Sequence, residues 1–185
     1  MMYISKGNAM PTSGDNELTV NLRGREHSLS EGEATLWLSG QHTPKTLSFM
    51  PHSLQNLLEL GLVETSEESD ALGHYRLLTG CVMVPAKPKL LRKPLSPEER
   101  TVWKWLGKAG LRLTIAELVC LAKNGIVPVP EYLGESNLQK LVEAIYTTQT
   151  IFDGILENLM EQSTHRDGIV DAVLGLLRKR RIILI

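Results

Sequence analysis

The chain has 185 residues, 42% of them hydrophobic and 22% charged, with a formal net charge of -1. That length buries a substantial core as one large or two small domains, and that composition excludes wholesale disorder. Near-neutrality excludes a global positive field over the whole molecule, so any binding to nucleic acid must be local.

The first fifteen residues, MMYISKGNAMPTSGD, mix Gly, Asn, Pro, Ser and Thr without periodicity and predict a mobile tail over 1–15. They contain no apolar run of signal-peptide length. No segment approaches the roughly 18 uninterrupted apolar residues of a membrane span, so a cytoplasmic protein with no membrane partner is expected.

A first folded unit is expected over 16–84. Leu18, Val20 and Leu22 alternate with polar neighbours, the period of a half-buried strand, which Gly24 punctuates. Ser30 with Glu33 forms a capping box that opens a short helix through Leu36, Trp37 and Leu38, ended by Gly40. A second short element near Thr43 to Met50 is broken by Pro51. Ser53 then caps a helix with Leu54, Leu57 and Leu58 on its apolar face, closed by Gly61. Leu62 to Thr65 and His74 to Leu78 flank the loop Ser66 to Gly73 and predict a β-hairpin with an acidic tip.

Pro85, Pro88, Pro94 and Pro97 stand among lysines and predict a linker over 85–97, because proline fixes φ and removes a backbone donor. A second unit follows over 98–185. Ser96 with Glu99 caps a helix through Val102, Trp103, Trp105 and Leu106, and Thr114 with Glu117 caps another through Leu118, Val119 and Leu121. Leu138, Leu141, Ile145, Thr148, Phe152, Ile155 and Leu159 recur at spacings of three and four, which predicts one long amphipathic helix. A nearly all-apolar helix from Asp167 through Leu177 and an extended end from Arg181 complete the unit.

The order strand, capped helix, short helix, helix ending in Gly-Leu-Val and hairpin over residues 17–80, with LLELGLVETSEES running directly into an extended pair, resembles the winged helix-turn-helix superfamily. EERTVWKWL, TIAELVCLA and SNLQKLVEAIY resemble a divergent second copy of its three helices. The resemblance implies an α+β, mostly helical protein of two winged-helix-like units, the second with a long amphipathic helix. Winged helices serve both as DNA readers and as protein-docking modules, so the function must be argued from sites.

Charge is distributed in blocks. Residues 31–75 hold one base and seven acids, 76–112 nine bases and two acids, 113–171 three bases and nine acids, and 172–185 four bases and no acid. Arg76, Lys87, Lys89, Arg92, Lys93, Lys104, Lys108 and Arg112 are therefore candidate phosphate contacts, the bland alternative being a solvated linker and helix face. Arg178 to Arg181 read more simply as cations at a helix C-terminus. By the winged-helix analogy, His52, Ser53, Gln55 and Asn56 would present the reading turn of the first unit, with no base among them; Asn137, Gln139 and Lys140 would do so in the second. The acids at the expected hairpin tip would repel phosphate. Leu138, Leu141, Ile145, Phe152, Ile155 and Leu159 are a candidate seam for a homodimer or an ordinary intramolecular face.

No nucleophile elbow, phosphate-cradling loop or metal-ligand spacing stands in the sequence, and the histidines are scattered singly, so neither catalysis nor a cofactor is expected. Cys81 and Cys120 sit inside apolar runs and read as buried, reduced thiols. Trp103 and Trp105 lie two apart on an expected helix and cannot share a face, so at least one belongs at an interface between units. The leading expectation is a non-enzymatic transcription regulator binding duplex DNA. The alternative is a protein-docking adaptor that touches no nucleic acid.

Overall fold

The computed structural model describes residues 1–10, 18–86, 93–108, 111–133, 137–148, 150 and 153–185. In chain order the elements are β1 (Met2–Ser5), β2 (Asn8–Ala9), β3 (Leu18–Leu22), β4 (Arg25–Leu29), α1 (Glu31–Gly40), β5 (Lys45–Thr46), α2 (His52–Glu59), β6 (Val63–Ser66), α3 (Ala71–Thr79) and β7 (Val82–Pro85). They continue with α4 (Pro97–Trp103), which runs into a π-helical turn over Lys104–Lys108, then β8 (Leu113–Thr114), α5 (Ile115–Lys123), α6 (Pro130–Leu133), α7 (Leu138–Ile145), α8 (Asp153–Glu161), α9 (Arg166–Arg178) and β9 (Ile182–Leu184). The described residues thus form an α+β structure whose three antiparallel sheets are ordered β5-β1-β6, β2-β3-β4 and β8-β7-β9.

The expected capping boxes form where local spacing puts them. Ser30, Ser96 and Thr114 each receive their partner Glu33, Glu99 or Glu117 on the backbone N–H, at 2.9, 2.7 and 2.6 Å. These bonds satisfy donors that the first turn of a helix leaves without partners. The extended end is present as β9, and Cys81 and Cys120 are free and buried.

The expected tail over 1–15 is corrected at its start: Met2–Ser5 is the central strand of its sheet and is buried throughout. Alternate side chains of a strand point to opposite faces. Met2 and Ile4 enter a larger core with Tyr75, Leu77, Leu78, Met83 and the apolar faces of α4, α5 and α9, whereas Tyr3 enters a smaller one with Val20, Trp37, Leu54 and Leu57. With both faces covered, β1 has no polar alternation to reveal it.

The hairpin is also corrected. Val63–Ser66 pairs with β1, and His74 to Leu78 lie in α3, whose N-cap Asp70 accepts a hydrogen bond from the Gly73 N–H at 2.9 Å. The short element near Thr43 to Met50 is the two-residue strand β5. Tyr75, Leu77, Leu78 and Met83 pack with α4, α5 and α9, so the two cores do not divide at 85–97 as the expected units do.

The single long helix over Asn137 to Glu161 is replaced by α7 and α8. Tyr146 turns extended (φ -101°, ψ 105°), and the buried Thr150 hydroxyl donates to the Ile145 carbonyl at 3.2 Å while accepting from the Thr147 N–H at 2.9 Å. A β-branched hydroxyl that bonds nearby backbone offers the chain an alternative to the helical ladder. Trp105 is buried against Tyr132 in an edge-on contact of 6.3 Å, and Trp103 lies half-buried beneath the Arg181 guanidinium, 5.7 Å from its ring centroid.

Candidate docking surface

The basic residues of the 76–112 block have different surroundings. Arg76 is clamped by carboxylates: Nη1 meets Glu68 at 2.7 Å, and Nε and Nη2 meet Glu161 at 3.3 and 3.0 Å. Its hydrogen bonds and charge hold the Glu161 carboxyl below the usual carboxylate range. Lys93 and Lys104 are exposed, and the Lys93 carbonyl accepts from Arg181 at 3.3 Å. Arg112 is exposed just before β8. Lys87, Lys89, Arg92 and the side chain of Lys108 lie outside the described residues.

At the start of α7, Asn137 is half-buried, Lys140 is exposed and Gln139 donates to Glu143 at 2.9 Å. In α2, Gln55 donates to Glu59 at 3.3 Å and Asn56 to Glu33 at 3.1 Å, so both amides have carboxylate partners inside the protein. The seam candidates separate as well. Leu141 and Ile145 are 2% and 3% exposed in the larger core, whereas Leu138, Ile155 and Leu159 are 51%, 43% and 46% exposed. Phe152 lies outside the described residues.

A different surface is assembled from segments distant in sequence. The inner face of the β8-β7-β9 sheet buries Met83, Leu113, Ile182 and Leu184. Its outer face carries Val82, Val84, Ile183 and Ile185, all incompletely covered. These four line a groove of about 1000 Å³ walled by Asn21, Arg23 and Arg112. A second cleft of about 670 Å³ adjoins it, sharing Asn8, Pro85 and Ile183 and bounded by Leu38, Ala9 and Arg180.

Local chemistry positions both walls. The β3–β4 hairpin turns on Arg23 and Gly24, both at positive φ (53° and 88°), as a two-residue turn between right-twisted strands requires. Asn21 Oδ1 accepts the Gly24 N–H at 3.1 Å. Arg180 (φ 55°) terminates α9: its N–H bonds the Leu177 carbonyl at 2.9 Å and the Arg181 N–H bonds Leu176 at 2.9 Å, the paired closure in which glycine is usual.

Lys6 and Gly7 fix the walls relative to each other. The Lys6 N–H bonds the Leu62 carbonyl at 2.8 Å, its carbonyl accepts Trp37 Nε1 at 2.9 Å, and its ammonium meets Glu64 at 2.5 Å. The Gly7 N–H then bonds the Leu184 carbonyl at 2.7 Å. Of this surface, only Arg112 was among the sequence candidates. The Arg23-Gly24-Arg25 turn signal and the isoleucine-rich run at 182–185 were the available clues.

Among the described residues, no group of three or more His, Cys, Asp or Glu could hold a metal ion, and no helix is long and apolar enough to cross a membrane. Compared with models of known protein families, with curated proteins and with solved structures, the chain matches none.

Proposed function

We propose that this protein is a non-enzymatic docking adaptor that binds a partner protein through the outer face of β7 and β9. One observation carries the reading. An antiparallel sheet with one solvated face normally alternates apolar inside with polar outside, yet here Val82, Val84, Ile183 and Ile185 stand on the outer face. Apolar side chains gathered on an incompletely covered sheet face and rimmed by polar residues are what a docking site requires. Of the winged-helix order expected over residues 17–80, the capped helix α1 and the helix α2 support that reading of the first unit, whereas β5 and α3 stand where the short helix and the hairpin were expected.

A tandem winged-helix transcription regulator on duplex DNA is the second reading, favoured by the exposed Lys104, Arg112 and Lys140. Against it, Arg76 is already paired with Glu68 and Glu161, and Gln55 and Asn56 of α2 are engaged by carboxylates. Fluorescence anisotropy of a mixed-sequence DNA duplex across a salt series separates the two. No binding at low salt is expected; binding that weakens steeply with salt would overturn the docking reading in favour of the regulator.

A further inference from the structure

The docking reading says that a protein binds; the backbone of β2 and β9 says in what conformation. In an antiparallel ladder, hydrogen-bonded pairs alternate with pairs whose N–H and C=O groups point away from the partner strand. On β2, the Met10 N–H bonds the Thr19 carbonyl, and Ala9 opposite Val20 is the next pair, so both backbone groups of Ala9 point outward. On β9, Ile185 and Val82 exchange both bonds, and the Ala86 N–H bonds the Arg181 carbonyl. Leu184 and Ile182, opposite Met83 and Pro85, therefore point their backbone groups away from β7.

The bond from the Gly7 N–H to the Leu184 carbonyl agrees with this parity on both sides, since each residue uses an outward group. Beyond that contact the cleft of about 670 Å³ is lined by both Ala9, which is partly exposed, and Ile182, which is buried. Among the described residues, no strand pairs with the outer side of either β2 or β9. A cleft of this volume lies in the range of sites that enclose a ligand.

We propose that this cleft takes an extended, acidic peptide segment of the partner as an added strand, hydrogen-bonded to the outward backbone of the partly exposed Ala9. Resting on the docking reading, the inference adds the partner's conformation and chemistry. A helix spends its backbone groups internally, whereas an extended segment presents free N–H and C=O groups at every second residue. Its alternate side chains would lie on Ile183 and the neighbouring apolar face. Arg180 lines the cleft and Arg23 and Arg112 line the adjoining groove, and among the described residues neither is lined by an Asp or Glu, so the remaining positions suit acids. Among the described residues, neither carries a Phe, Tyr or Trp on which nucleic-acid bases could stack.

The test is selection of a random dodecapeptide phage library on the full chain, followed by anisotropy of the selected peptides labelled with fluorescein. Asp or Glu alternating with Val, Ile or Leu should be enriched. Arg180→Glu and Ile183→Asp should each weaken binding at least tenfold, and Ala9→Pro, which deletes one outward donor, should do the same. Hydrogen exchange on the unmodified protein supplies a measurement independent of those variants: peptide should slow exchange of the Ala9 amide. Selected peptides that bind without slowing the Ala9 amide, and whose affinity survives all three substitutions, would overturn strand addition while leaving docking intact. A library that yields no binding peptide would overturn both.

Discussion

Gly7 donates its backbone N–H to the carbonyl of Leu184 at 2.7 Å, and through this bond the link between β1 and β2 is fastened to β9. The geometry requires glycine. Its φ is +97°, and a Cβ there would stand 2.7 Å from Val20 Cγ1 and 2.9 Å from the Asn21 carbonyl oxygen. Gly7→Ala is expected to cost about 2–4 kcal/mol, combining backbone strain with overpacking. Urea unfolding of the variant measures this; a loss under about 0.5 kcal/mol would mean that the crossing relaxes freely.

Glu99 joins α4 to α9 through Lys179, Oε2 to Nζ at 2.5 Å, while its carboxylate also accepts the Ser96 N–H. Burial alone would raise its pKa, but hydrogen bonds from Lys179 and Ser96 and the charges of Lys179 and Arg178 outweigh burial and hold it below the ordinary 4.5. A carboxyl whose pKa is lower in the folded state stabilises the fold above the unfolded pKa, and that contribution is lost as pH falls through the folded value. Glu99→Gln should therefore cost about 2 kcal/mol at neutral pH. Its stability should fall less steeply than the parent's as acid is added below 4.5, as denaturation curves at a series of pH values would record.

Leu141 and Leu159 belong to the same heptad-like stripe but have opposite fates. Leu141→Ala should cost about 2–5 kcal/mol because it empties a buried site. Leu159→Ala should stay within about 0.5 kcal/mol in a monomer. Chemical denaturation at two protein concentrations checks both. A concentration-dependent midpoint that disappears in Leu159→Ala would instead establish α8 as a dimer contact.

Arg180 occupies a left-handed backbone position that glycine fills without steric cost. Arg180→Gly should raise stability by about 1 kcal/mol, visible as a higher thermal midpoint. The same variant should bind the selected acidic peptides more weakly. Stabilisation accompanied by unchanged peptide affinity would separate the cap from the cleft.

Ser96 and Glu99 are three residues apart, and a capping box needs only that spacing, so its helix start was legible before any tertiary contact was known. The α7–α8 break was not, because a stripe from Leu138 to Leu159 fits a continuous helix as well as two short ones. The Thr150 hydroxyl decides between them through its bond to the Ile145 carbonyl. His74 to Leu78 could alternate as a strand, but Asp70 caps the Gly73 N–H and α3 packs against α9.

By itself, then, the sequence determined the α+β class, the capped helix starts, the buried thiols and the extended β9, all of which follow from short-range spacing and local apolar patterning. Only the tertiary structure decided that β1 lies between two cores, that Arg76 is claimed by Glu68 and Glu161, and that Ala9, Arg23, Arg112 and Ile183 share one surface. The physical reason is that burial on both faces of β1 erases its alternation, while a groove between sheets is made of residues far apart in the chain, whose proximity leaves no periodic trace.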